Sequence, residues 1–140
     1  MPRVSVQVRV PFPDVDSSRR IHFTAMLRYF EVAEHELMRA IGFPYATALQ
    51  GVAFPRVHVA CDFRGAVRYD DLLSVEARVA HVGRSSWKVA FTARSLQEIT
   101  SELQVGDVVA EGEIAIVCMD PKSERAQPLP EELRQALERE

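Results

Sequence analysis

Two carboxylates, Asp14 and Asp16, stand in the turn-forming run Asp14-Val15-Asp16-Ser17-Ser18, just ahead of a helical pattern. In an extended segment such a pair need not be equivalent: one can face the core or a pocket while the other caps or is solvated. A carboxylate beside a helix start has positive partial charge close by, which suits a general base or nucleophile next to an oxyanion site. Aspartate in a pre-helical turn is also the ordinary cap or Asx-turn residue, so both readings stand. His22 follows Asp16 closely and offers either an Asp–His pair or a locally hydrogen-bonded histidine. His35, His58 and His81 show no H-x-x-x-H or H-E-x-x-H spacing, and Cys61 and Cys118 have no ligand spacing either, so no metal site is expected. Glu31, Glu34 and Glu36 read as the solvated side of a helix, with one of them turned to a pocket as the alternative. Arg19 and Arg20 adjoin the helix start. Arg84, Ser85, Ser86 and Lys88 follow a turn at Gly83 and have donors that suit phosphate oxygens. P-loop, Rossmann and G-x-S-x-G patterns are absent.

The elements that must position these groups are legible from periodicity. Val4, Val6, Val8 and Val10 alternate with polar residues, a half-buried strand ended by Pro11 and Pro13. Met26, Leu27, Phe30, Ala33, Leu37, Met38 and Ile41 recur at three and four, giving a helix of about 17 residues with one apolar face. Thr24 is the expected N-cap, Gly42 the C-terminal glycine, and Pro44 the stop. Four strands follow. Phe54 to Phe63 has Val57, Val59 and Cys61 on one face. Leu73 to Val82 and Trp87 to Arg94 alternate cleanly, and Val108 to Met119 is long and ends at Pro121. Gln97 to Gln104 reads as a loop, with a helical turn over Glu98 to Leu103 as the alternative. A short helix, Glu131 to Arg139, closes the chain. This order predicts an α+β domain with the helix on one face of an antiparallel sheet. Its edge strands favour pairing between subunits, hence a dimer.

Composition narrows the classes. The chain has 140 residues, 47% hydrophobic and 26% charged, with a net charge of −3, as expected of one globular domain. The acidic balance argues against a nucleic-acid partner. No apolar run is long enough for a membrane span, and the alternating N-terminus does not resemble a signal peptide. Reduced cysteines in a cytoplasmic protein are the expectation.

The run Pro11-Phe12-Pro13-Asp14-Val15-Asp16, then Ile21-His22-Phe23, then Tyr29-Phe30-Glu31-Val32-Ala33, resembles the opening signature of the 4-hydroxybenzoyl-CoA thioesterase family. Phe54-Pro55-Arg56-Val57, Asp62-Phe63-Arg64, Tyr69-Asp70-Asp71-Leu72-Leu73 and Gly83-Arg84-Ser85-Ser86 extend the resemblance over residues 4–120. It implies the hot-dog fold, in which a long central helix is wrapped by a five-stranded antiparallel sheet. Residues 1–140 would form a single thioesterase-like domain, with 121–140 as a tail carrying the short helix. The implied activity is hydrolysis of an acyl-CoA thioester. Asp16 would be nucleophile or general base, the Phe23 backbone N–H would polarise the carbonyl, and His22 is a possible participant. The resemblance further implies a site at a dimer interface, the pantetheine arm between subunits, dimers pairing into a homotetramer, and no metal or organic cofactor. Arg84, Ser85, Ser86 and Lys88 would meet the nucleotide phosphates. Met26, Tyr29 and Phe54 are candidate walls for the acyl group, beside Phe12, Phe23, Val57 and Phe63. Arg19 stands where the family usually carries glycine, and Met26 and Glu34 also depart from its pattern. Two alternatives remain: hydrolysis of acyl-carrier-protein thioesters, with Arg19, Arg20 and Arg28 meeting the carrier, or acyl-CoA binding without catalysis.

Overall fold

The computed structural model describes residues 1–97 and 104–140. The alternatives for Glu98 to Leu103 lie outside the described residues. Strand β1 (Arg3–Arg9) leads through a 3-10 turn (Phe12–Asp14) to helix α1 (Phe23–Ala40) and the short helix α2 (Tyr45–Ala48). Strands β2 (Arg56–Phe63), β3 (Leu72–Val82), β4 (Ser86–Gln97) and β5 (Val108–Val117) follow, then the hairpin β6 (Met119–Asp120) and β7 (Arg125–Ala126), and helix α3 (Glu131–Glu138). The first five strands form one antiparallel sheet in the order β1-β3-β4-β5-β2. Consecutive β1 and β2 therefore lie at opposite edges, and α1 is the connection that crosses between them. This is the hot-dog arrangement, α+β as the helix-plus-strands pattern predicts.

Period-two strands give the sheet one buried face. Leu73, Val75, Ala77 and Val79 of β3 and Trp87, Val89, Phe91 and Ala93 of β4 all point into the core. Met26, Phe30, Leu37 and Met38 of α1 meet them and are fully buried, each contributing about 1.5–3 kcal/mol. Phe30 stacks flat on Phe91, with centroids 4.7 Å apart. The close approach needs Gly112 on β5: a Cβ there would lie 2.6 Å from the Phe30 ring and 2.4 Å from the Ala60 carbonyl oxygen.

Several local expectations are corrected. His22, not Thr24, caps α1. Val57 and Val59, expected on one face of their strand, are 63% and 48% exposed, because β2 is an edge strand. Glu34 is buried, not solvated. The last long strand splits at Cys118, whose N–H donates to the Ser85 carbonyl (2.7 Å), so that Met119 can start the β6–β7 hairpin. The closing helix is present with Leu133, Ala136 and Leu137 buried. Its Arg134 donates to the Gly83 and Arg84 carbonyls (2.8 and 2.9 Å), tying it to the β3–β4 turn.

Candidate active site

The prolines at 11 and 13 fold the chain into a tight turn before α1, and Asp14 N–H donates to the Pro11 carbonyl (3.1 Å). The chain then runs outward and returns. Asp16 N–H donates to Arg20 O (2.9 Å), Arg19 N–H to Asp16 O (2.9 Å), and His22 N–H to Asp14 O (2.8 Å). Ile21 N–H donates to Val67 O (2.9 Å), which fastens the returning limb to the segment before β3. Asp16 thus sits at the neck of a small loop whose tip is Ser17 to Arg19. Arg19 lies in the left-handed region, with φ 67°, the conformation glycine adopts without strain.

Asp14 and Asp16 have different fates. Asp14 is 7% exposed and both its oxygens are committed: Oδ1 accepts from Arg28 (2.7 Å) and Oδ2 from the Tyr29 hydroxyl (2.6 Å). Burial alone would raise its pKa, but the Arg28 and Tyr29 bonds and the Arg28 charge outweigh it and hold the carboxyl below its usual range. Burial, then Asp14, pushes the Tyr29 hydroxyl far up, so it stays a donor. Asp16 is exposed. Its Oδ1 accepts from the Ser18 hydroxyl (2.5 Å) and the Ser18 N–H (2.8 Å), while Oδ2 has no partner among the described residues. The Ser18 bonds, with smaller help from the His22 and Arg20 charges, lower its pKa, so it is ionised at neutral pH.

The start of α1 supplies the opposite polarity. His22 Nδ1 accepts from Thr24 N–H (3.3 Å) and lies 2.8 Å from Thr24 Oγ1, while Ala25 N–H donates to His22 O (2.9 Å). The Phe23 N–H has no partner among the described residues and stands at the positive end of an 18-residue helix. The bond from His22 N–H to Asp14 O brings this end back beside the loop that carries Asp16. A groove of about 560 Å³ opens at that loop, lined by Phe12, Val15, Asp16, Arg19, Arg68 and Tyr69. The Phe12 and Tyr69 rings meet edge to face, 5.5 Å apart. A hollow of about 280 Å³, with Arg20, Ile21, Met26, Phe63 and Arg64 among its walls, also takes in residues of this loop.

The other expected site residues are scattered. Met26 lines that hollow. Tyr29 is 4% exposed and spent on Asp14, and Arg28 is its companion there. Phe54 packs edge-on against Trp87, 5.5 Å away, and tilts over Tyr45. Arg84, Ser85, Ser86 and Lys88 lie at the β3–β4 turn. The whole of β3, roughly 33 Å at about 3.3 Å per residue, separates them from the Arg68–Tyr69 end. One protomer therefore does not bring this cluster to Asp16.

Three partners went unrecognised in the sequence. Ser18 could have been found from its spacing to Asp16, since a side chain two residues after an aspartate suits an Asx-type bond. Arg68 and Tyr69 carry no local signal; the pairing of Arg20 with Arg68 places them. A separate polar cluster lies beneath the β2 edge. Glu34 Oε2 accepts from Arg56 (2.6 Å) and the Tyr45 hydroxyl (2.5 Å), and Oε1 is buried without a partner. Among the described residues no three His, Cys, Asp or Glu side chains converge to hold a metal, and no helix is long and apolar enough to cross a membrane.

Comparison with known proteins adds four findings. The model of the thioesterase-like superfamily matches residues 10–137. The chain is 27% identical over 135 residues to the acyl-CoA thioesterase YbgC of Haemophilus influenzae, covering 95% of this chain and 93% of that protein. It is 28% identical over 136 residues to the long-chain acyl-CoA thioesterase FadM of Escherichia coli K12, covering 96% and 97%. Its fold superposes with a TM-score of 0.85 and 16% identity on a 1,4-dihydroxy-2-naphthoyl-CoA thioesterase from Synechocystis, covering 96% of this chain and 95% of the other.

Proposed function

The chain belongs to the thioesterase-like superfamily, and from that premise we propose that it hydrolyses acyl-CoA thioesters to a free acid and CoA, with Asp16 as the reacting carboxylate. The observation that carries this reading is an ionised carboxylate with one oxygen free, on a loop that the bond from His22 N–H to Asp14 O ties to the start of α1, where the Phe23 amide is unpartnered among the described residues. The Phe23 N–H stabilises negative charge on the thioester oxygen as the carbonyl is attacked; such a donor is worth about 10²–10³ in rate. Asp16 Oδ2 adds to the carbonyl carbon, the C–S bond breaks, CoA leaves as thiolate, and water hydrolyses the acyl anhydride to regenerate the carboxylate. The alternative is that Oδ2 takes a proton from a water that adds in its place. Ser18 favours the first route, because a carboxylate of lowered pKa is a weak base yet stays ionised as a nucleophile. His22, its Nδ1 turned to Thr24, holds the helix start in place. This chemistry calls for no metal or organic cofactor.

The same reading places the functional unit in a cytoplasmic homodimer, itself able to pair into a tetramer. Support comes from the edge strand β2 with its exposed Val57, Val59 and Phe63. In such a dimer the pantetheine arm runs between subunits, and Arg84, Ser85, Ser86 and Lys88 of one copy reach the nucleotide whose thioester lies at Asp16 of the other. Asp16→Asn tests the chemistry: hydrolysis falls at least about a hundredfold while the fold is kept, and retained turnover in a folded variant overturns the assignment. Sedimentation velocity tests the assembly, and a monomer at micromolar concentration overturns it.

A further inference from the structure

The groove that holds Asp16 has more positive charge than a neutral acyl chain requires. Arg19 and Arg68 both line it, and neither guanidinium has a hydrogen-bond or ion-pair partner among the described residues. Two other arginines close by are neutralised, Arg28 by Asp14 and Arg64 by Glu111, while Arg20, which lines the adjoining hollow, adds further positive charge beside Asp16. Asp16, the one acid in the groove, turns an oxygen to Ser18 instead. This excess of cation stands on a chain whose net charge is −3.

Arg19 also sits in the left-handed backbone region, which costs a side-chain-bearing residue about 1–2 kcal/mol that glycine avoids. The strain does not disturb the groove, whose wall includes the Arg19 side chain. Phe12 and Tyr69 supply apolar walls on the same groove. The phosphates of CoA are an ill-suited occupant, because the length of the pantetheine arm separates them from the thioester, whereas Arg19 and Arg68 share a groove with the reacting carboxylate.

We propose that Arg19 and Arg68 select acyl groups that end in a carboxylate, with the chain or ring of the acyl group held between Phe12 and Tyr69. This inference rests on the thioesterase reading and names its substrate class. The charge of the substrate would otherwise be repelled by Asp16, and the two guanidinium groups reverse that sign.

Two matched pairs test it: glutaryl-CoA against valeryl-CoA, and 4-carboxybenzoyl-CoA against 4-methylbenzoyl-CoA. The expected result is a kcat/KM higher by about 10- to 100-fold for the carboxylated member of at least one pair, mostly through KM, since a charge-assisted hydrogen bond is worth that range. Arg19→Gly and Arg68→Gln should each lower this ratio roughly tenfold. Arg19→Gly is the safer variant for folding, because glycine accepts the left-handed turn. Equal rates within both pairs, or faster turnover of the neutral members, overturn the proposal and leave the thioesterase reading intact. No hydrolysis of any of the four, nor of longer acyl-CoAs, overturns both. Arginine-dependent acceleration of a neutral acyl group only when it is borne on an acidic carrier protein overturns the proposal and assigns these arginines to the carrier.

Discussion

Asp14 and Asp16 are the same residue type, two positions apart, on opposite sides of a chain that has just passed two prolines. One is buried with both oxygens held by Arg28 and Tyr29; the other is exposed with one oxygen held by Ser18 and one open. On the proposed mechanism, the difference teaches that unfinished bonding decides which of the two reacts. Asp14 fixes the loop onto the first turns of α1, and Asp16 is left with something to offer.

The largest effect that would sharpen this contrast is in turnover. Asp16→Asn should lower kcat at least about a hundredfold and leave the melting temperature nearly unchanged; a large loss of stability would mean that the two aspartates do the same job. Next comes Asp14→Asn, which removes charge from a buried, doubly bonded group. It should cost about 2 kcal/mol in urea unfolding, and should slow turnover less than the Asp16 change does. The contrast also predicts a pH signature. The folded-state pKa of Asp14 lies below its unfolded value, so its stabilisation is fully present above about pH 5 and is lost as pH falls below about 4 through the folded pKa. The stability gap between the parent and Asp14→Asn should be flat from pH 5 to 8 and close in acid. In the same buffers kcat should hold to below the usual carboxylate range, because the Asp16 pKa is lowered as well. The smallest effect is expected of Arg19→Gly. Relief of the left-handed strain exceeds the added freedom of the unfolded chain, so stability should rise by under about 1 kcal/mol; a loss would show that the Arg19 side chain is bound within the fold.

The sheet was readable because alternation over Val4–Val10, Leu73–Val79 and Trp87–Ala93 reports a face directly. Its limit shows at Val57 and Val59, where the alternation is present but burial is not: periodicity marks a face without telling whether the helix reaches that far across. The cap was missed because threonine is the usual capping type, whereas here an imidazole nitrogen two residues earlier takes that place. Glu34 looked solvated beside Glu31 and Glu36. Only the fold brings Arg56 and Tyr45 from distant positions to enclose it, and no local pattern encodes that meeting. At the candidate site, the unequal fates of a D-x-D pair were foreseeable in kind. Which aspartate turned inward depended on Arg28 and Tyr29, and the groove wall depended on the pairing of Arg20 with Arg68, a contact across 48 positions.

Gly112 makes β5, the strand next to the β2 edge, a fulcrum. An alanine there would act as a wedge under Phe30, and α1 would have to rock to clear it. The Phe23 amide lies seven residues toward the tip, roughly 10 Å along the rod at about 1.5 Å per residue, so a small tilt at the contact is levered into a sideways shift of that amide. A single missing methyl group in the interior thereby sets the aim of a donor at the surface.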